Sequence, residues 1–143
     1  SNFNLHVVED ARSLIWGKLV INAAINPLTE LLRIPNGALL SHPKARRMMG
    51  ALARETAEVA QAENIHLPFG DPVLAAEEVA KKTAANLSSM FQDVRRGAPT
   101  EIDAICGAVA ERGKWHGIKT PYNKACWTMV RAAVMRPARL VYA

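Results

Sequence analysis

The sequence is poor in cysteine: Cys106 and Cys126 are the only two in 143 residues. No disulfide framework is needed. Both sit in apolar helical patterns and read as buried free thiols, and nothing in their spacing demands a bond between them. Acidic residues are also few, with 18 Lys and Arg against 13 Asp and Glu, a formal net charge of +5. The surplus favours anionic partners without naming one. No apolar run approaches the length of a membrane span, so no membrane partner is expected and the chain reads as cytoplasmic. No run of alternating residues argues for a sheet. The histidines, His6, His42, His66 and His116, lack metal-ligand spacing and form no HExxH, so no metal is expected. Neither GxGxxG nor GxxxxGK[ST] occurs, so a nucleotide would find no recognisable phosphate loop here. The opening "SNF" has no start methionine, which points to a piece of a longer protein.

What is present is helical. Half the residues are hydrophobic, enough for one core in one domain spanning residues 1–143. A first helix is predicted from Glu9 or Asp10 through "ARSLIWGKLVINAAI", interrupted or kinked at Pro27. "NPLTELLR" can resume it, and "IPNG" signals a turn. "HPKARRMMGALARETAEVAQAENI" reads as a long second helix with a stripe of Met48, Met49, Leu52, Ala53, Thr56, Val59 and Ala60. Asp71 and Pro72 are placed to cap and open a third helix, running through "VLAAEEVAKKTAAN". "SSMFQDVRRGAP" is expected to loosen or break the helical run. Thr100 offers an N-cap to "EIDAICGAVAERGKW", with Asp103 as a box-like partner. Thr120 and Pro121 start a last helix that Pro137 stops. The expectation is an all-α fold of five or six helices.

Two polar islands interrupt the apolar pattern. Lys18, Asn22 and Asn26 recur every fourth residue within "WGKLVINAAINPLT", so they line one helix face over about 12 Å. This strip is either a solvated face or a cleft wall in which lysine supplies charge and the amides supply donors and acceptors. The second island, "NLSSMFQDVRRGAPTEID", holds Asn86, Ser89 and Glu101. Glu101 can serve as ordinary helix-start electrostatics. A carboxylate and a lysine brought together from separate helices can also polarise a carbonyl and move a proton. Arg46, Arg47, Arg95 and Arg96 read as solvated basic faces, and Trp16, Trp115 and Trp127 as core or interface anchors.

Four pieces, "WGKLVINAAINPLTELLRIPNG", "ETAEVAQAENI", "NLSSMFQDVRRGAPTEIDAICGAV" and "HGIKTPYN", together resemble the C-terminal domain of the ketopantoate reductase (2-dehydropantoate 2-reductase) family. They cover roughly residues 10 to 130, in family order. The resemblance implies a multi-helix domain of the kind also seen in 6-phosphogluconate dehydrogenase-like enzymes. It implies an NADP-dependent reductase of the pantothenate biosynthesis pathway, converting 2-dehydropantoate to (R)-pantoate. NADPH would be bound mainly by an N-terminal Rossmann domain absent from this chain. That domain would be a partner, as would the small 2-oxo acid, with a homodimer a further partner the family allows. Nucleic acid is not expected.

The resemblance also implies roles. Lys18 matches the catalytic lysine, bonding the keto oxygen and supplying the proton. Glu101 matches the glutamate beside it. Asn22 and Asn26 match the helix asparagines that bind substrate oxygens. Asn86 and Ser89 match the opposing segment, Ser89 at the carboxylate. The isolated chain is expected to be inactive. Two other readings stay open: a reductase of a different 2-oxo acid, and a non-catalytic helical dimerisation module.

Overall fold

A computed structural model describes residues 2–134; the proposed stop at Pro137 lies outside them. Among the described residues every regular element is helical. They are α1 (Asn2–Leu32), a 3₁₀ helix (Asn36–Leu40), α2 (Pro43–Ala62), α3 (Pro72–Lys82), α4 (Ser89–Arg96), a π-helical segment (Asp103–Gly107), α5 (Ala108–Trp115) and α6 (Pro121–Val134). The all-α expectation holds.

α1 is the axis of the domain. It packs against α2, α3, α4, α6, the 3₁₀ helix and the π segment. Residues 23–30 are buried without a break, so this stretch is surrounded on all sides. That explains why Pro27 neither ends nor interrupts the helix. A mid-helix proline costs about 3 kcal/mol, and enclosure of Ala23, Ala24, Ile25, Pro27 and Leu28 by the neighbouring elements offsets it. The predicted start at Glu9 is also corrected: α1 already runs from Asn2, because no glycine, proline or capping residue in "LHVV" stops it. This early part is largely exposed, with Leu5, Val8 and Ile15 all more than half exposed, though Arg12 and Ser13 donate to the carbonyls of Glu63 and His66.

α2 buries the predicted stripe, Met49, Leu52, Ala53, Thr56, Val59 and Ala60 being buried and Met48 half-buried. Asp71 caps α3 as predicted, its Oδ1 accepting from the Val73 and Leu74 amides at 2.8 and 3.3 Å. The helix stops at Lys82, short of the predicted Asn86. Cys106 and Cys126 are free and fully buried. Burial pushes both thiols up, Cys126 to about 11, so both stay protonated at neutral pH.

Two further expectations are corrected. "SMFQDVRR" forms α4, opened by the Ser88 hydroxyl accepting from the Phe91 amide at 3.2 Å and closed by Gly97 at φ +71°. Thr100 does not cap the next helix. The chain enters a π turn at Ile102 with no side-chain cap, and the Gly107 amide reaches the Ile102 carbonyl at 3.1 Å. The widened turn seats Trp127: a Cβ on Gly107 would lie 2.8 Å from the indole ring. Asp103 accepts from the indole Nε1 at 2.7 Å instead of serving a cap. Trp16 and Trp127 are half-buried, but Trp115 is 77% exposed and is no core anchor.

Candidate functional site

The ladder on α1 runs from solvent into the core. Lys18 is exposed, Asn22 is half-buried and Asn26 is 9% exposed. The depth gradient follows from α1 itself, whose early half is mostly exposed and whose later half is enclosed. A strip that starts with a mobile charge and ends on a buried amide suits a small polar ligand better than a solvated face does.

The second polar island is held against this strip. The Thr29 hydroxyl, fully buried, donates to Ser88 Oγ at 2.7 Å. It also lies 3.0 Å from the carbonyls of Ile25 and Asn26, and its single hydrogen serves one acceptor at a time. Ser88 in turn caps α4. One hydroxyl pair therefore fixes the start of α4, with Ser89 next in sequence, against Thr29, which lies one helical turn along α1 from Asn26. The turn after α1 fixes the other side. Asn36 donates its amide to the Asn86 carbonyl at 2.9 Å and Gly37 donates to the Ala84 carbonyl at 3.0 Å. Asn86 and Ser89 are exposed on this pinned segment.

Glu101 is exposed just before the π segment, which packs on α1. Among the described residues Lys18 and Glu101 make no ion pair. The fold brings their elements together and leaves both charges facing outward. No group of three or more metal-ligating side chains occurs among the described residues, nor is any described helix long and apolar enough to cross a membrane.

Sequence reasoning missed the roles of four polar residues here. Thr29 and its partner Ser88 carried no signal, because the contact joins residues far apart in the chain. Asn36 read only as part of a turn; it is 8% exposed, donates through Nδ2 to Thr83 Oγ1 at 2.9 Å, and leaves Oδ1 buried without a hydrogen-bond partner. Glu30 extends the ladder by one more helical step beyond Asn26. It is 3% exposed, its Oε2 has no hydrogen-bond partner, and burial raises its pKa against the opposing pull of Arg33. The four-residue spacing could have flagged it.

A raised carboxyl pKa in the fold means the unfolded chain loses its proton first. Stability is then fully present below the ordinary carboxylate range and falls as pH rises above it. Glu30→Gln cannot ionise, so the variant is expected to be more stable than the parent sequence by about 1 kcal/mol at pH 8, with the gain shrinking at pH 4. Urea unfolding at the two pH values measures this; an equal difference at both would refute the ionisation of Glu30 as its source.

Residues 10–134 match the family described as ketopantoate reductase PanE/ApbA C terminal. A 2-dehydropantoate 2-reductase from Pyrobaculum aerophilum is 43% identical over 128 residues, covering 90% of this chain and 46% of the relative. The crystal structure of a PanE/ApbA family ketopantoate reductase from Ralstonia eutropha superposes with a TM-score of 0.81 at 33% identity, covering 85% of this chain and 41% of that one. D-mandelate dehydrogenase, solved with NADH and anilino(oxo)acetate, superposes at 0.78 with 29% identity over 84% of this chain and 40% of that one. The chain thus spans less than half the length of the proteins it matches.

Proposed function

This chain belongs to the ketopantoate reductase PanE/ApbA C-terminal family, and on that premise we propose that it is the substrate-binding and catalytic half of an NADP-dependent 2-dehydropantoate 2-reductase. The observation that carries the reading is the graded ladder Lys18–Asn22–Asn26, with the Asn86–Ser89 segment pinned beside it through Thr29 and Ser88. The described residues contain no βαβ unit and no glycine-rich phosphate turn. They do not by themselves fit a nicotinamide dinucleotide, which a separate Rossmann domain of the parent would hold. The exposed apolar side chains Leu5, Val8 and Ile15 supply a surface for that domain or for a second copy of the chain.

Within this reading the substrate's keto oxygen sits at Lys18. Reduction of a carbonyl places an electron pair on that oxygen, and the Lys18 ammonium stabilises the growing charge and then gives up its proton to form the hydroxyl. Glu101, on the neighbouring element, orients the ammonium. Asn22 and Asn26 bind substrate oxygens farther along α1, and Asn86 and Ser89 hold the opposite side, Ser89 at the carboxylate. The net positive charge favours an anionic substrate.

A second reading keeps the chemistry and changes the 2-oxo acid. It is favoured by the fold match to D-mandelate dehydrogenase, whose bound anilino(oxo)acetate is itself a 2-oxo acid derivative. Steady-state reduction by the full-length parent, with NADPH and a panel of 2-oxo acids, separates the two. We expect kcat/KM for 2-dehydropantoate to exceed that for aryl 2-oxo acids by about 100-fold, the order a few well-placed polar and apolar contacts supply. The opposite ranking would replace the first reading by the second, and turnover of neither would refute both.

A further inference from the structure

We propose that the cleft between α5 and α6 is a second ligand site, which takes a small phosphate-bearing organic anion. The cleft has a volume of about 790 Å³, within the usual range for small-molecule sites. None of its lining residues belongs to the ladder or to the Asn86–Glu101 segment, so the inference is independent of the function proposed above. Three lysines converge on it from three elements: Lys114 from α5, Lys119 from the connecting loop and Lys124 from α6. All three are exposed and, among the described residues, none is in an ion pair. Glu111 is the one acidic side chain on the wall. Unpaired like charges gathered at one cleft repel each other, and an anion seated among them relieves that repulsion. Lysine ammoniums act on phosphate as mobile point charges. Ile118 and the half-buried Trp127 give the cleft an apolar floor, which favours a ligand with an organic body over a bare inorganic ion.

The walls are fixed before any ligand arrives. The Ile118 amide bonds the Gly113 carbonyl at 2.8 Å, and Thr120 is 2% exposed. Glu63, at the end of α2, pairs with Arg112, and its Oε2 lies 3.3 Å from His116 Nε2. The carboxylate of Glu55 already takes the free amides at the start of α6. An anion in the cleft is therefore held by the lysines and not by that helix end.

Calorimetric titration of the 143-residue chain at low salt tests this, with ADP, pyrophosphate and adenosine as probes. Saturable binding of one ADP per chain is expected, tighter than pyrophosphate, with adenosine not competing. The double variant Lys119→Ala/Lys124→Ala should bind ADP about tenfold more weakly or worse. Lys44→Ala/Lys81→Ala removes the same charge elsewhere and should stay within about twofold. Equal loss in the two double variants would assign the binding to diffuse surface charge and overturn the proposal. So would competition by adenosine, pyrophosphate binding as tightly as ADP, or no saturable ADP binding up to about 5 mM, where only a weak encounter remains.

Discussion

Lys18→Ala in the full-length parent is expected to lower kcat for 2-oxo acid reduction by about 10²- to 10⁴-fold, the range for losing a positioned proton donor. KM should change far less, because in the proposed reading Ser89 would hold the substrate carboxylate and the helix asparagines its other oxygens. The physical reason is where charge develops. The keto oxygen is nearly neutral in the bound substrate and becomes an alkoxide as reduction proceeds, so an ammonium beside it acts mainly on the transition state. Lys18 is exposed and, among the described residues, in no ion pair, so its removal should leave folding intact. Steady-state kinetics on both enzymes, with thermal melts as a control, measure this. An unchanged kcat in a normally folded variant would remove the lysine from the chemistry. A raised KM with kcat intact would reduce it to a binding contact.

Glu55→Ala is expected to cost the chain about 3–4 kcal/mol of stability. Glu55 lies in the middle of α2 and is 9% exposed. Its Oε2 accepts from the Tyr122 amide at 2.9 Å, and its Oε1 accepts from both the Asn123 amide and Asn123 Nδ2 at 2.9 Å. Pro121 has no amide hydrogen, so this carboxylate satisfies the first donors that α6 presents. The arrangement is an N-cap supplied from another helix, with charge-assisted bonds that exceed an ordinary cap in strength. Truncation leaves buried amides without acceptors. The melting temperature should fall by about 10 °C, with Glu55→Gln intermediate because it keeps one acceptor oxygen. Circular-dichroism melts decide it, and a shift of under about 2 °C would mean that water replaces the carboxylate at little cost.

These two residues differ in how far the sequence announced them. The strip Lys18–Asn22–Asn26 was legible because its members are neighbours on one helix face; four-residue spacing is a local property of the chain. The Asp71–Pro72 start of α3 and the stripe of α2 were legible for the same reason. Glu55 stands on a helix that reads as an ordinary amphipathic element, and its partners are 67 and 68 residues away. A similar sequence separation hides the Thr29–Ser88 hydroxyl pair, which pins the start of α4 against α1. α4 is a different case, since its cap Ser88 and its terminating Gly97 were both present in the string and were outweighed by its polar composition.

The sequence by itself determined the helical class, most element positions, the family and the residue types of the candidate site, because periodicity, capping and motif spacing act over a few neighbouring positions. Only the tertiary structure decided that α1 runs unbroken through Pro27, that the chain after Thr100 takes a π turn around Trp127, and that Asn26 and Glu30 lie in the core while Lys18 does not. Each of these depends on what surrounds a residue in space. The local costs of a mid-helix proline or a buried carboxyl are a few kcal/mol, and packing contributed by distant segments is large enough to override them.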